Sequence, residues 1–498
     1  MHRPKRFHSA MIDGSAFVRP FHHTQRRVTA AALIAAGLAA SAVALPPLPP
    51  PPFPAQNLVT EPKRVLGKIL FWEEQLSSDN TIACGTCHIP SAAGTDPRVG
   101  RNPGRDQLFN TADDVLGSPG VVARDANQNP VADPLFGFEP QVTRRFAPSV
   151  LMAAYSDRFQ FWDGRRGGVF VNPETGVTTI FESGALENQA LEPILSKVEM
   201  GHLGRTWAQV RTKLQSARPL AMASDIPADI TPSIQSGATY PQLFAAAFGT
   251  PDITAERIAF AIATYERTLI PNQSPWDRFN AGDQNALTPA ERRGLDVFNA
   301  PASQCTICHT GAQFTTHDFL NIGLRPPVED TGRQEVSGLS ADRGKFRTPS
   351  LRNVGLQNRF MHNGRLTTLE QVVDFYRNIG NVQFADNRDP VMTQISITAT
   401  AAADLVEFLR TGLTDPRVAA EVFPFDRPRL RSELLDGDMN CDGAISVGDI
   451  AGFVLVLTNP AAYTSEYPKC SAAAADLNLD AVVSVGDIGP FVALLTGG

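Results

Sequence analysis

A mainly α-helical chain is what the sequence predicts: two domains, each built around a C-x-x-C-H motif, with a small loop–helix module behind them. Three observations carry this. Cys84-Gly85-Thr86-Cys87-His88 returns more than two hundred residues later as Cys305-Thr306-Ile307-Cys308-His309. The stretches around the motifs read as capped, amphipathic helices. A repeat with a 38-residue period closes the chain, each copy an Asp/Asn-rich loop followed by an apolar helix. At 498 residues the chain has room for about three domains, and at 43% hydrophobic and 19% charged residues it can form their cores.

Arg26-Arg27 precedes an apolar run from Val28 to Val43 that ends in Ala42-Val43-Ala44. A basic region, a short apolar core and an A-x-A site make residues 1–44 a signal peptide, cleaved after Ala44. The run is shorter than the roughly 20 residues a membrane span needs, so the mature chain is expected to have no span. It would then be periplasmic, secreted or held at the cell surface. Residues 1–44 hold six Lys or Arg and one Asp, so the mature protein is more acidic than the formal −7 of the whole chain. With no concentrated basic face, nucleic acid is excluded as a partner, while a basic redox protein would suit. Residues 45–60 form a Pro-rich linker, stiff and extended.

C-x-x-C-H is the attachment signature of a c-type haem: the thiols add to the vinyl groups and the histidine reaches the iron. Zinc would want four ligands closing on one metal, and a redox dithiol does not need the histidine. The expectation is two covalently bound haem c groups, on Cys84, Cys87, His88 and on Cys305, Cys308, His309. Cys441 and Cys470 remain as a disulfide pair. The first domain is placed at 61–275. A helix over 61–90, with Pro62 near its start, leads into the first motif. A Gly/Pro/Asn/Asp-rich loop follows from Asp96 to Gln141, and its Thr111-Ala112-Asp113-Asp114 reads as a solvated turn rather than a cation site. Helical patterns come at Tyr240–Phe248 and Ile258–Leu269. Ser274-Pro275 to Asp283 crosses into the second domain, 276–425, which opens on the capped start Leu287-Thr288-Pro289. An amphipathic helix around Ala402–Leu409 closes it.

The tail, 436–498, places oxygen ligands at loop positions 1, 3, 5, 9 and 12. They are Asp438, Asn440, Asp442, Ser446 and Asp449 in one copy, then Asp476, Asn478, Asp480, Ser484 and Asp487 in the other. Ala444 or Val482 would add a carbonyl at position 7. This is calcium-loop geometry, and Ala481, where the sharp turn prefers glycine, makes the second loop the weaker one. The duplicated unit resembles dockerin type I modules. That resemblance implies docking to a cohesin-like or surface partner.

Further stretches make residues from about 61 to 425 resemble the bacterial di-haem cytochrome c peroxidase family, and more narrowly its MauG-like branch. These are Phe161-Trp162-Asp163-Gly164-Arg165, Gln189 with Glu199-Met200-Gly201, Phe346-Arg347-Thr348-Pro349-Ser350-Leu351-Arg352-Asn353, and Met361-His362-Asn363-Gly364. The resemblance implies two cytochrome c-like domains with little sheet. The first haem would be the peroxide site and the second an electron reservoir. It places Gln189 and Glu199 on the open face of the first haem, where a carboxyl can move a proton between the oxygens of peroxide. Trp162 would be the aromatic relay between the haems. Many members block the first iron with a removable histidine. Here the only histidine between His88 and His309 is His202, directly after the Glu199 turn, so the iron is expected to be open to hydrogen peroxide. Fourteen residues after His362, where other members place an axial methionine, stands Tyr376, as in the MauG-like branch; Met361 and Met392 are rival ligands. The residues that hold an interdomain calcium in relatives are replaced, by Phe146 and by Gln357-Asn358-Arg359, so the resemblance gives that site no support. The function implied is peroxide reduction with electrons from a small redox protein or other donor. The alternatives are oxidation of a partner protein and plain electron transfer.

Overall fold

The computed structural model describes residues 47–378, 384–468, 470–478 and 482–496. The predicted signal peptide lies outside the described residues, as does Asp480. Pro62 opens helix α1 (Glu61–Phe71), where its missing N–H would have had no helical partner anyway. Leu66, Ile69 and Leu70 form the buried stripe of α1. They pack with α2 (Ala185–Leu195), α3 (Tyr240–Phe248) and α4 (Ala255–Glu266) into the first core. The α1–α4 crossing is close: a Cβ on Gly67 would stand 1.9 Å from the Ala261 carbonyl oxygen.

A second core forms around α5 (Pro289–Asn299), α6 (Leu369–Arg377) and α7 (Ala399–Glu407), with Trp276, Phe298, Phe314 and Phe408 at its centre. Thr288 caps α5 by accepting from the Glu291 N–H, and the Glu291 carboxylate returns the bond to the Thr288 N–H at 2.6 Å. The third core belongs to the tail. There α8 (Ile450–Thr458) and α9 (Ile488–Thr496) stack Phe453 on Phe491 at 4.0 Å, and Cys441 is bonded to Cys470.

Four expectations change. The helix predicted over 61–90 ends at Phe71, and the chain then turns, with Glu73, Ser77 and Asp79 accepting from nearby backbone N–H groups. The linker predicted as a stiff, extended spacer is held against α2 and α4. Asn57 is buried against Glu187 and the Phe260 carbonyl, and the carbonyls of Pro49 and Pro52 accept from Tyr155 and Arg267. The loop after the first motif contains two small antiparallel pairs, β1 (Gly100–Asn102) with β2 (Val115–Gly117) and β3 (Pro119–Val122) with β4 (Pro140–Val142). Val418, Phe425 and Leu430, beyond the last helix of the second core, are fully buried in the first core.

Candidate functional site

Each C-x-x-C-H motif occupies a single helical turn, Cys84–Cys87 and Cys305–Cys308, so both thiols and the following imidazole face one space. Gly85 is needed there, because a Cβ would lie 2.1 Å from the Trp72 ring. His88 Nδ1 is 2.9 Å from the Gly94 carbonyl, and His309 Nδ1 is 3.0 Å from that of Phe314. With Nδ1–H donating to a carbonyl, the lone pair of Nε2 is left for a metal. Burial favours the neutral imidazole, lowering the pKa of His88 and taking that of His309 down to about 4. Burial also pushes the Cys84 thiol up to about 12 and the Cys308 thiol up to about 11.

Both motifs open into cavities. The first, about 540 Å³, is lined by Cys84, Cys87 and His88 together with Gln189, Glu199 and Trp162. The second, about 190 Å³, is lined by Cys305, Cys308, His309 and Tyr376, and also by Met361 and Met392. A neutral imidazole beside two thiols on the wall of a largely apolar cavity fits a covalently attached haem, and the chain provides this twice. The cavities share a wall made by Phe146–Ser149 and Trp162. Trp162 Nε1–H donates to the Phe146 carbonyl at 2.8 Å, and its own carbonyl accepts from the Arg347 N–H at 2.7 Å. The His362 ring meets Trp162 edge-on at 6.3 Å and stacks on Phe346 at 3.6 Å.

Glu199 and Gln189 reach the first cavity by different routes. Gln189 lies on α2, where Pro193 has no N–H to offer the Gln189 carbonyl, and the helix stops soon after. The chain then turns so that the N–H groups of Glu199, Met200 and Gly201 all donate to the Ser196 carbonyl. This turn is clamped from outside. Val121 N–H on β3 donates to the Val198 carbonyl, Gln141 on β4 to that of Lys197, and Arg205 to those of Ile194 and Met200. The inserted loop is therefore part of the wall, with Gly120 lying so close that a Cβ would be 1.9 Å from the Val198 oxygen. Burial raises the pKa of Glu199, Ser196 works against that by hydrogen bonding, and the Glu192 charge adds to the rise.

Sequence reasoning missed Glu266, which also lines the first cavity. Its Oε2 is buried without a hydrogen-bond partner, and burial takes its pKa up to about 8. His202 does not line the cavity; it is buried beside Ser78 and Gln128. Burial raises the pKa of the Tyr376 phenol, followed in effect by the nearby Cys308 and Cys305.

The predicted calcium ligands are brought together only in part. Asp438 accepts from the Asp442 and Gly443 N–H groups, Asp449 from those of Met439, Asn440 and Ser446, and Asp442 from that of Ala444. Asn440 donates to Asp442, and Ser446 accepts from the Gly448 N–H. In the second loop Asp487 accepts from Leu477, Asn478 and Ser484, and Ser484 from Gly486. Asp476 gives its backbone carbonyl to Arg431. Among the described residues no three His, Cys, Asp or Glu side chains converge as a metal site. No helix among them is long and apolar enough to cross a membrane.

The family described as di-haem cytochrome c peroxidase matches residues 61–285. The methylamine utilization protein MauG of Paracoccus denitrificans is 30% identical over 345 residues, 62% of this chain and 73% of that protein. A cytochrome c551 peroxidase of Nitrosomonas europaea is 28% identical over 349 residues, 69% of this chain and 80% of the relative. Among solved structures, a MauG-like protein associated with microbial copper homeostasis superposes with a TM-score of 0.52 at 26% identity, covering 76% of this chain and 96% of its own.

Proposed function

Because the chain belongs to the di-haem cytochrome c peroxidase family, we propose that it is an exported oxidoreductase that reduces hydrogen peroxide with electrons from an external donor, a small redox protein being the fitting one. The observation that carries this reading is the first cavity. His88 and Glu199 line the same space, and among the described residues His88 is the only histidine that does. No second imidazole among them is thus placed to block the approach of peroxide. Peroxide takes two electrons and two protons to become two waters. Glu199 can accept the proton from one oxygen and return it to the other, and its burial, which raises its pKa, makes the protonated state easier to reach than in an exposed glutamate. The Gln189 amide can donate to and orient peroxide beside it. Haem, when bound at each motif, supplies the redox-active iron. Trp162, on the wall shared by the cavities, is the side chain through which charge passes between them. Tyr376 is the proposed oxygen ligand in the second cavity, and burial, which raises its pKa, holds the phenol protonated unless a cation bound at its oxygen releases the proton to a base.

The test is an optical and EPR spectrum of the fully oxidised protein before and after stoichiometric hydrogen peroxide. A high-spin ferric signal that responds without prior reduction is expected. Two low-spin centres that ignore peroxide would sink the reading.

We also infer that the tail is a calcium-dependent docking module for a cohesin-like or surface partner. The two copies expose matching apolar side chains, Val447, Ile450 and Val454 against Val485, Ile488 and Val492, with the two leading valines 80% and 79% exposed. Retention on the surface of the native cells should be lost on chelation, and equally in a Val447→Glu, Val485→Glu variant that keeps full peroxide turnover. Retention of that variant would refute the docking role.

A further inference from the structure

The second cavity is lined by two guanidinium groups that meet no anion among the described residues. Arg347 donates its Nε–H to the Phe161 carbonyl at 3.2 Å and has Nη1 3.3 Å from His317 Nδ1. Arg359 lines the same cavity, and its Nε is buried without a hydrogen-bond partner. Arg205, enclosed near the first cavity, has its Nη1 satisfied by the Ile194 and Met200 carbonyls, and most other enclosed arginines face a carboxylate. Arg145 pairs with Asp163 and Asp330, Arg267 with Glu187, and Arg352 with Asp277. An enclosed cation without a counter-charge is expensive, and burial brings Arg347 down to about 10, which registers that cost. Arginine is also the cation whose planar fork matches a carboxylate.

We propose that Arg347 and Arg359 bind the two propionate carboxylates of the haem held by Cys305, Cys308 and His309. This rests on the two-haem reading above. The two sites then differ in charge. In the first cavity the guanidinium groups of Arg144, Arg145 and Arg165 already pair with protein carboxylates, Glu335, Asp163, Asp330 and Glu192, and Lys197 is exposed, whereas both guanidinium groups of the second are left for its occupant. Positive charge at the edge of a haem favours the reduced iron, so this pair holds the second site at a higher potential than its ligands alone would set. Arg359 is the cleaner probe, because its buried Nε makes no hydrogen bond that a substitution would break.

The experiment is a spectroelectrochemical titration of the intact protein, with haem content measured beside it, for the wild type, Arg359→Gln and Arg359→Lys. Arg359→Gln should lower the potential of the second haem at least tenfold in the reduced-to-oxidised ratio, about 59 mV for one electron, and leave the first unchanged. Arg359→Lys should restore most of that shift. Loss of the second haem from Arg359→Gln, with retention in Arg359→Lys, supports the same assignment. An unchanged second potential in a Gln variant carrying two haems would overturn it, as would equal shifts at both haems. A wild-type protein with a single haem would instead refute the two-haem reading.

Discussion

The role proposed for Glu199 asks that it be both buried enough to hold a proton and near enough to peroxide to release it. Burial sets its pKa above the ordinary glutamate value of about 4.3. On acidification its carboxylate is lost at a higher pH than an exposed glutamate's would be, and the proposed base for the first proton disappears with it. Peroxide turnover should therefore fall through a pKa above that of an exposed glutamate. Glu199→Gln should remove that acid limb and lower the rate about 10²–10⁴-fold, the usual reach of acid–base catalysis, with haem content unchanged. A Gln variant that turns over peroxide normally would exclude the role. At this scale the sequence was readable where spacing ties residues together. Cys84, Cys87 and His88 share one turn, and Gln189 and Glu199 line one cavity. Glu266 was not readable. Beside Arg267 it looks like half of a surface ion pair, but Arg267 turns to Glu187 and leaves the Glu266 carboxyl facing the cavity.

Helices show the same division between local and distant causes. Tyr240–Phe248 matches its predicted bounds because its signals are local, with Thr239 before it and Gly249 at φ 84° after it. The Ile258–Leu269 pattern shifts to Ala255–Glu266 because Thr254 caps the Arg257 N–H, and that bond counts for more than apolar periodicity at a helix end. Strands of three or four residues such as β1–β4 are too short to show a period, so the wall they build around the Glu199 turn could not be read. Packing between helices left a clearer trace in glycine. Gly67 on α1 faces α4, and a Cβ on Gly294 of α5 would stand 2.1 Å from the Asp404 carbonyl oxygen of α7. Neither contact is with a flexible side-chain end that can move aside. Gly67→Ala should raise local helix propensity yet destabilise the fold by at least about 1–3 kcal/mol, the usual penalty of overpacking. Thermal unfolding measures it, and a neutral or stabilising result would mean the two helices can separate at no cost.

At the scale of the whole molecule, chain order and spatial order part company. The inserted loop reaches the second core, with Leu116 N–H donating to the Asn363 carbonyl at 3.0 Å and Asn358 donating to Pro97 at 2.9 Å. The segment after Leu413 returns in the other direction. Asp426 pairs with the fully buried Lys68 at 2.8 Å, and the Glu74 carboxylate accepts from the Arg431 and Ser432 N–H groups. Hydrophobic pattern alone cannot assign such a segment, because a short apolar stretch satisfies either core equally well. Val418, Phe425 and Leu430 are each worth about 1.5–3 kcal/mol on full burial. Together that is comparable with the roughly 5–15 kcal/mol by which a domain is stable. A chain ending at Leu434 should therefore keep both haems and peroxide turnover while losing only the tail. A chain ending at Leu413 removes only 21 further residues, none from either C-x-x-C-H motif. It should nevertheless lose the first domain, read as loss of the high-spin signal and of turnover while the second haem is retained. If the Leu413 truncation kept the first haem site intact, the returning segment would be a passive wrapping rather than a part of that core.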